Sequence, residues 1–243
     1  MSHRFFTCEE RPELRGRAGH LRAAWPVFMT QSPISNERWH LLYEDFPGFQ
    51  FWLVDEATDV VLAEGNSLPA RLDPTELPDR GWEHVVEHAT SGDEEPTLVS
   101  AIQVLVDPTL QGGGLSALML GEMRRIAAGA RYADLVAPVR PSLKSRYPLT
   151  PMERYVSWTT PEGLPFDPWM RVHARAGATV RRVCPTSMVI PGTVAHWQEW
   201  AGMAFPESGM YVVPGALEPV DIDVEADRGT YVEPNVWMHH VIG

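Results

Sequence analysis

The sequence predicts one α/β domain with a mixed central sheet flanked by helices. Helical spacing dominates the start of the chain, strands and helices alternate through the middle, and strands dominate the end. A length of 243 residues and a hydrophobic content of 44% are ordinary for one globular domain. We therefore treat residues 1–243 as a single domain.

The start of the chain predicts two helices followed by two strands. Apolar residues recur at helical spacing over residues 12–29, where Pro26 marks an end or a kink, and again over 36–46. Residues 49–70 then predict two strands joined by a polar turn at 55–59.

The middle of the chain carries the clearest alternation of strand and helix. Residues 71–96 are rich in proline and acidic residues and predict a loop-rich insertion with a short helix at 81–89. Residues 97–106 and 132–139 are apolar along most of their length, as expected for strands buried on both faces. Between them, residues 115–130 have the apolar stripe of an amphipathic helix.

The last third of the chain predicts one more helix and several strands. An irregular stretch over 141–168 leads into a helix that Gly177 can end. The strands predicted after it cover 179–190, 209–215, 219–227 and 236–242, with a helical turn at 196–203.

Charge and composition exclude several classes of protein. A net charge of −12 argues against general nucleic-acid binding, which requires basic residues to neutralise phosphates. No apolar stretch is long enough to span a membrane, and the start lacks the apolar core of a secretory signal. Two cysteines, Cys8 and Cys184, are too few for a disulfide framework or a zinc site. We expect a cytoplasmic protein without a metal site and leave open whether it forms a homodimer.

The strongest functional signal is the run VDPTLQGGGLS at residues 106–116. Glycine is costly in ordered structure, so three in a row suggest that a ligand approaches the backbone closely. A Walker A loop requires lysine followed by serine or threonine after its last glycine, whereas Leu115 and Ser116 follow Gly114 here. A dinucleotide-binding fingerprint requires a further glycine where Ala117 stands.

This run resembles the acyl-CoA loop of the GCN5-related N-acetyltransferase (GNAT) family, whose pattern is Arg or Gln, two residues, Gly, one residue, then Gly or Ala. Gln111, Gly114 and Ser116 take the three defined positions, with serine as a departure at the last. The resemblance implies a GNAT-like fold that overlays on about residues 3–190. On this basis the segment at about 71–96 is an insertion, and a C-terminal extension begins at about 191.

The resemblance also implies how a co-substrate binds. Backbone N–H groups of the loop, at a helix N-terminus, bind the diphosphate of coenzyme A, and backbone groups of the preceding strand bind its pantetheine arm. The strand is expected to diverge from its neighbour to expose those groups. The implied cofactor-binding residues are Leu105, Val106, Gln111, Gly112, Gly113, Gly114, Leu115 and Ser116.

One catalytic residue follows from the same resemblance. Family members often carry a tyrosine general acid on a later helix, and His173 falls at that position here. Imidazole titrates near neutral pH, which suits proton transfer, although a lone histidine on a helix can be structural. The CoA strand offers Gln103 where a glutamate base is customary. Glu153 and Asp167 are further carboxylates near the expected acceptor region, so the base stays unassigned.

The predicted function is transfer of an acyl group, most simply acetyl from acetyl-CoA, to an amine of a small molecule. Two alternatives remain open. The chain could be a non-catalytic CoA-binding sensor, or it could carry out acyl transfer to a carrier-protein thiol or decarboxylation. The aromatic residues of the irregular stretch either line an acceptor pocket or form a packed lid; they are Tyr147, Tyr155, Trp158 and Trp169.

Overall fold

A computed structural model describes residues 2–92 and 94–242, which form a mixed nine-stranded sheet flanked by helices. Neighbouring strands lie in the order β1-β2-β3-β4-β5-β9-β8-β7, and β6 pairs with the other edge of β9. β4 and β5 are parallel, and the other pairs are antiparallel. The strands are β1 (His3–Thr7), β2 (Gln50–Asp55), β3 (Val60–Ala70), β4 (Leu98–Val106), β5 (Asp134–Val139), β6 (Thr179–Gly192), β7 (Gly209–Tyr211), β8 (Val220–Asp223) and β9 (Arg228–Val241). The predicted fold class is confirmed.

Eight α-helices lie in the described part of the chain, and none of them is long and apolar enough to cross a membrane. Asp167 caps α7 by accepting hydrogen bonds from two backbone N–H groups of its first turn. Thr193 and His196 form a reciprocal cap at the start of α8. The helices are α1 (Leu14–Arg17), α2 (Pro33–Arg38), α3 (Leu41–Asp45), α4 (Trp82–Ser91), α5 (Leu115–Gly129), α6 (Met152–Tyr155), α7 (Pro168–Arg175) and α8 (Val194–Ala201).

The first helical region is more broken than the sequence predicts. Instead of one helix over 12–29, α1 is followed by two 3-10 helices, Gly19–Ala24 and Val27–Gln31. Glycine at positions 16 and 19 weakens a continuous helix, and Pro26 cannot continue one. The apolar periodicity therefore identified a buried face correctly, but it did not identify a regular helix.

Helices cover both faces of the sheet. α5 packs on the face that carries Phe51, Leu53, Val99 and Leu135. The early helices, α4 and α8 pack on the opposite face, where Trp52, Leu68 and Leu98 belong to the largest buried cluster. α7 lies beside α5 and covers β5 and β9. The central strands are thus buried on both sides, as their apolar sequences predict.

The end of the chain is built into the sheet. β9 lies between β5 and β6, with Val136 opposite His239 and Val183 opposite Val236. Within the C-terminal extension expected from about residue 191, residues 193–227 form an insertion between β6 and β9 that contains α8, β7 and β8, and β9 follows in the sheet. Strand order depends on contacts between distant residues, which local sequence patterns do not report.

Candidate active site

The parallel pair at the centre of the sheet opens towards its C-terminal ends. β4 and β5 are paired only where Val99 meets Leu135 and Ser100 meets Val136. β4 then continues to Val106, so its last six residues have no strand partner on that edge within the described chain. The backbone groups that these residues point away from β3 therefore face a cleft between β4 and β5. This is the divergence of strands that the sequence led us to expect.

A β-bulge lies where the two strands separate. The pairing of β3 with β4 shifts between Asn66 opposite Gln103 and Ser67 opposite Ala101, which leaves Ile102 as the extra residue. The carbonyl of Ile102 accepts a hydrogen bond from the Trp82 indole, with an N···O distance of 3.1 Å. The bulge reverses the side-chain alternation, so Gln103 and Leu105 join Ile102 on the face of the early helices.

The glycine run forms the turn from β4 into α5. Asp107 stabilises the turn by accepting hydrogen bonds from the backbone N–H and hydroxyl of Thr109. Gly112 and Gly114 have φ values of +83° and +82°, a conformation that other L-residues adopt at a cost. Both glycines are exposed, with open space where a Cβ would stand.

The loop leaves several donors available at the start of α5. Among the described residues, the backbone N–H groups of Gly114, Leu115 and Ser116 donate to no protein acceptor. These donors lie at the positive end of a 15-residue helix, an arrangement that favours a phosphate group. The cofactor residues expected from the sequence thus fall on the unpaired end of β4 and on this turn.

His173 occupies a closed environment. Its side chain is 1% exposed, its Nδ1 lies 2.9 Å from Nε2 of His240, and the Trp169 ring packs against it. Burial, together with the neighbouring His240, holds the pKa of His173 well below its ordinary value. The ring is therefore neutral near pH 7. A neutral imidazole is a poor proton donor, so this environment offers no support for His173 as the general acid.

The other carboxylates considered from the sequence have different surroundings. Asp167 caps α7 and also accepts hydrogen bonds from the Tyr155 hydroxyl and the Leu143 backbone, at 2.9 and 2.8 Å. These bonds account for its burial. Glu153 is exposed on α6. Asp167 is therefore held by structural hydrogen bonds and Glu153 faces solvent, so neither is assigned as the base.

The aromatic residues of the irregular stretch pack against one another. Ring centroids of Tyr147 and Trp158 lie 5.1 Å apart, and those of Tyr155 and Trp158 lie 5.2 Å apart. Phe166 completes the cluster. It extends the apolar layer over β5 and β9. This packing favours the interpretation as a packed lid over that of an acceptor pocket.

The adjacent histidines of β9, His239 and His240, and the buried Cys184 occupy structural positions. His239 contacts Asp134, with Nε2 and Oδ1 2.6 Å apart, whereas His240 faces His173 on the opposite side of β9. No cluster of potential metal ligands occurs among residues 2–92 and 94–242. Cys184 is fully buried, and burial raises its pKa to about 12.

The residues that sequence reasoning missed lie on β3. Glu64 and Asn66 are buried on the same face of the sheet, beside Gln103 and under Tyr43. The Tyr43 hydroxyl donates to Oε1 of Glu64 over 2.5 Å. The available signal was a glutamate and an asparagine two positions apart within an apolar strand, where strand alternation places both on one face.

A second buried polar group lies across the cleft from Gln103. Arg140, directly after β5, forms an ion pair with Glu233 at 2.9 Å, and its guanidinium stands 5.7 Å from the Trp25 ring centroid. The Trp25 indole donates to Oε1 of Gln103 over 3.0 Å. Trp25 therefore spans the open end of the cleft on the face opposite α5.

Comparison with known proteins agrees with this geometry. The chain is 33% identical over 251 residues to the arginine N-acetyltransferase avaD of Aspergillus versicolor, covering 91% of this chain and 87% of that protein. No family model matches the chain.

Solved structures support the fold. The loading GNATL domain of CurA from Lyngbya majuscula has a TM-score of 0.67 at 18% identity, covering 100% of this chain and 98% of that chain. The GphF GNAT-like decarboxylase in complex with isobutyryl-CoA has a TM-score of 0.59 at 14% identity, covering all of both chains. The putative acetyltransferase yncA from Salmonella typhimurium has a TM-score of 0.50 at 12% identity, covering 100% of this chain and 95% of that chain.

Sequence similarity over nearly the whole chain and the diverging strands that lead into the glycine loop support the same conclusion. The chain belongs to the GCN5-related N-acetyltransferase (GNAT) family and is an acyl-CoA-dependent N-acyltransferase.

Proposed function

We propose that the protein transfers the acetyl group of acetyl-CoA to a nitrogen of a small molecule related to arginine. The acceptor class is taken from the relative that acts on arginine, which is 33% identical over most of both chains. One observation supports acetyl-CoA as the co-substrate. The unpaired end of β4 leads directly to the exposed backbone N–H groups at the start of α5.

In this proposal the loop and strand hold acetyl-CoA. Within the run Gln111–Ser116, the available N–H groups of Gly114, Leu115 and Ser116 bind the diphosphate, since the glycines allow close approach and the helix terminus favours negative charge. Backbone groups of Leu105 and Val106 bind the pantetheine arm along the edge that β5 leaves free. Acetyl-CoA itself supplies the activated thioester carbonyl.

The acceptor is proposed to bind on the face opposite α5, near the bulge. Gln103, Trp25 and Arg140 lie there, with the buried carboxylates Glu64 and Glu233 behind them. The net charge of −12 also favours a cationic acceptor at long range. Holding the amine next to the thioester supplies much of the rate enhancement, because it replaces a collision with an intramolecular arrangement.

Thiol release from acetyl-CoA tests this function. Purified protein is assayed with arginine, with agmatine, which lacks the carboxylate, with citrulline, which lacks the guanidinium charge, and with an acyl-carrier protein. We expect thiol release with the guanidinium compounds and an acetylated product by mass spectrometry. Transfer between two thiols releases no net thiol, so an acetylated carrier protein detected by mass spectrometry would instead indicate transfer to a thiol. Coenzyme A binding without an acetylated product for any acceptor would favour a sensor.

A further inference from the structure

A chain of hydrogen bonds connects the CoA strand to a buried carboxylate on the neighbouring strand. Gln103 Nε2 donates to Oδ1 of Asn66 over 2.9 Å, and Asn66 Nδ2 donates to the Tyr43 hydroxyl oxygen over 3.0 Å. Tyr43 in turn donates to Glu64. The hydroxyl therefore has an acceptor for its own proton on one side and can receive a proton on its oxygen.

The sheet register places this chain next to the cleft. Asn66 is paired with Gln103 and Glu64 with Leu105, so the carboxylate lies one strand away from the free edge of β4. Trp52 on β2 stands opposite Glu64 and stacks with Tyr43, with ring centroids 6.2 Å apart. This packing fixes the tyrosine ring over the carboxylate.

Three buried carboxylates, Asp55, Asp167 and Glu64, form no ion pair among the described residues, and of these Glu64 alone accepts no backbone N–H hydrogen bond. Glu233 has Arg140 at 2.9 Å, whereas no lysine or arginine in the described ranges lies within ion-pair distance of Glu64. Glu64 is only 6% exposed, and burial raises its pKa while the bond from Tyr43 opposes the rise. A buried carboxylate without a cation destabilises a fold, and perturbed groups of this kind cluster at functional sites.

We propose that Tyr43 and Glu64 form the proton-accepting pair of the acetyl transfer, an inference that rests on the proposed function. The acceptor ammonium gives a proton to the Tyr43 oxygen as the tyrosine proton passes to Oε1 of Glu64. The free amine forms a C–N bond with the thioester carbonyl, and the C–S bond breaks. The second proton lost by nitrogen goes to the leaving thiolate, and Glu64 later releases its proton to solvent.

The groups around the pair define its pH dependence. Arg15 from α1 lies over the Tyr43 ring, 4.1 Å from its centroid, and Arg22 from the first 3-10 helix acts on Glu64 through its charge. On the neighbouring strands, the residues opposite Glu64 are Trp52 of β2 and Leu105 of β4, and neither has an ionisable side chain. Both arginines stay charged. Glu64 therefore accounts for the ionisation that controls proton acceptance.

This role has a kinetic signature. In the wild type, kcat/KM for the acceptor stays level with pH between the ionisation of Glu64 and that of the acceptor amine, because the carboxylate removes the proton. Without the carboxylate, only acceptor that is already deprotonated can react. The logarithm of kcat/KM then rises with pH at a slope near one throughout that range.

The experiment compares Glu64→Gln with Glu83→Gln. Glu83 is also buried with a raised pKa, but it bonds to Ser32 and the Val189 backbone, away from the chain of hydrogen bonds. We expect Glu64→Gln to lower kcat/KM at neutral pH at least about 100-fold, and its logarithm of kcat/KM to rise with pH at a slope near one. Tyr43→Phe should change the pH profile of kcat/KM in the same direction. Glu64→Asp should retain part of the pH range in which kcat/KM is constant. Glu83→Gln should keep the wild-type pH profile of kcat/KM.

The outcomes separate this inference from the function on which it rests. A Glu64→Gln variant that keeps the wild-type pH profile, whether its rate is unchanged or uniformly lower, overturns the inference, since such a loss is structural. If the wild type acetylates no acceptor, the proposed function fails. In that case, the role of Tyr43 and Glu64 is tested by the slow hydrolysis of acetyl-CoA by water. A hydrolysis rate in Glu64→Gln equal to that of the wild type overturns the inference.

Discussion

His173 and His240 share a hydrogen bond in a buried site between α7 and β9. Burial lowers the pKa of both rings, with that of His240 at about 4. Each pKa lies below its value in the unfolded chain, so on acidification the unfolded state binds more protons than the folded state. The contribution of this pair to stability is therefore present above about pH 6.5 and is lost as the pH falls below it.

Replacing His173 by Asn tests this structural role. The change leaves a nitrogen of His240 without its partner in a buried site, which should lower the free energy of unfolding by about 1–3 kcal/mol. It should also reduce the loss of stability between neutral and mildly acidic pH. Denaturant titrations at several pH values measure both effects, with the exposed His88→Asn as control. Unchanged stability together with a loss of turnover of about 100-fold would restore His173 as a proton-transfer residue.

At the scale of elements, the backbone conformation of the turn between β4 and α5 determines which N–H groups are available to a ligand. Gly114 caps α5 with a φ of +82°, and its N–H group is one of the available donors. A side chain at this angle costs about 1–2 kcal/mol or displaces the loop amides. The loop thus combines a backbone requirement for glycine with the proposed binding of the diphosphate.

Replacing Gly114 by Ala should raise the dissociation constant of coenzyme A by about tenfold, because the strained loop no longer aligns its donors. Gly121→Ala is a matched control, since Gly121 lies within α5 and has open space for a Cβ. Calorimetric titration with coenzyme A measures both variants. Equal affinity for Gly114→Ala and Gly121→Ala would show that the loop amides do not hold the diphosphate.

Local sequence patterns were sufficient for some elements and not for others. The run from β4 through the glycines to α5 could be predicted because strand, turn and helix signals lie next to one another in the chain. The broken helices before Gln31 and the central position of β9 depend on tertiary packing. Glu64 was missed for the same reason, since its proposed role depends on Tyr43 and Gln103, which are distant from it in sequence.

At the scale of the whole molecule, the insertion between β6 and β9 closes the face on which we propose that the acceptor binds. Phe28 packs against Trp197 and Tyr231, with ring centroids 5.7 and 5.3 Å apart. Gly215 in the insertion lies so close to Pro26 that a Cβ there would stand 2.6 Å from the proline ring. The insertion therefore supports the early segment that carries Trp25 to the cleft.

Replacing Gly215 by Ala should displace that segment. We expect the KM for the acceptor to rise several-fold while the KM for acetyl-CoA stays near the wild-type value, because the change acts on the segment that carries Trp25 and not on the loop before α5. Gly202→Ala serves as control, since Gly202 also has a positive φ in the insertion but no neighbour within 4 Å of its Cβ position. Steady-state kinetics with each substrate varied in turn distinguish the two constants. An equal rise in the KM for the acceptor in Gly215→Ala and Gly202→Ala would show that backbone strain alone causes the effect.

The most direct test of acyl-CoA binding at the glycine loop is a crystal structure of the protein with coenzyme A bound. We expect the diphosphate within hydrogen-bond distance of the N–H groups of Gly114, Leu115 and Ser116, and the pantetheine arm in the cleft between β4 and β5. A diphosphate bound elsewhere, or a pantetheine arm outside that cleft, would contradict this expectation.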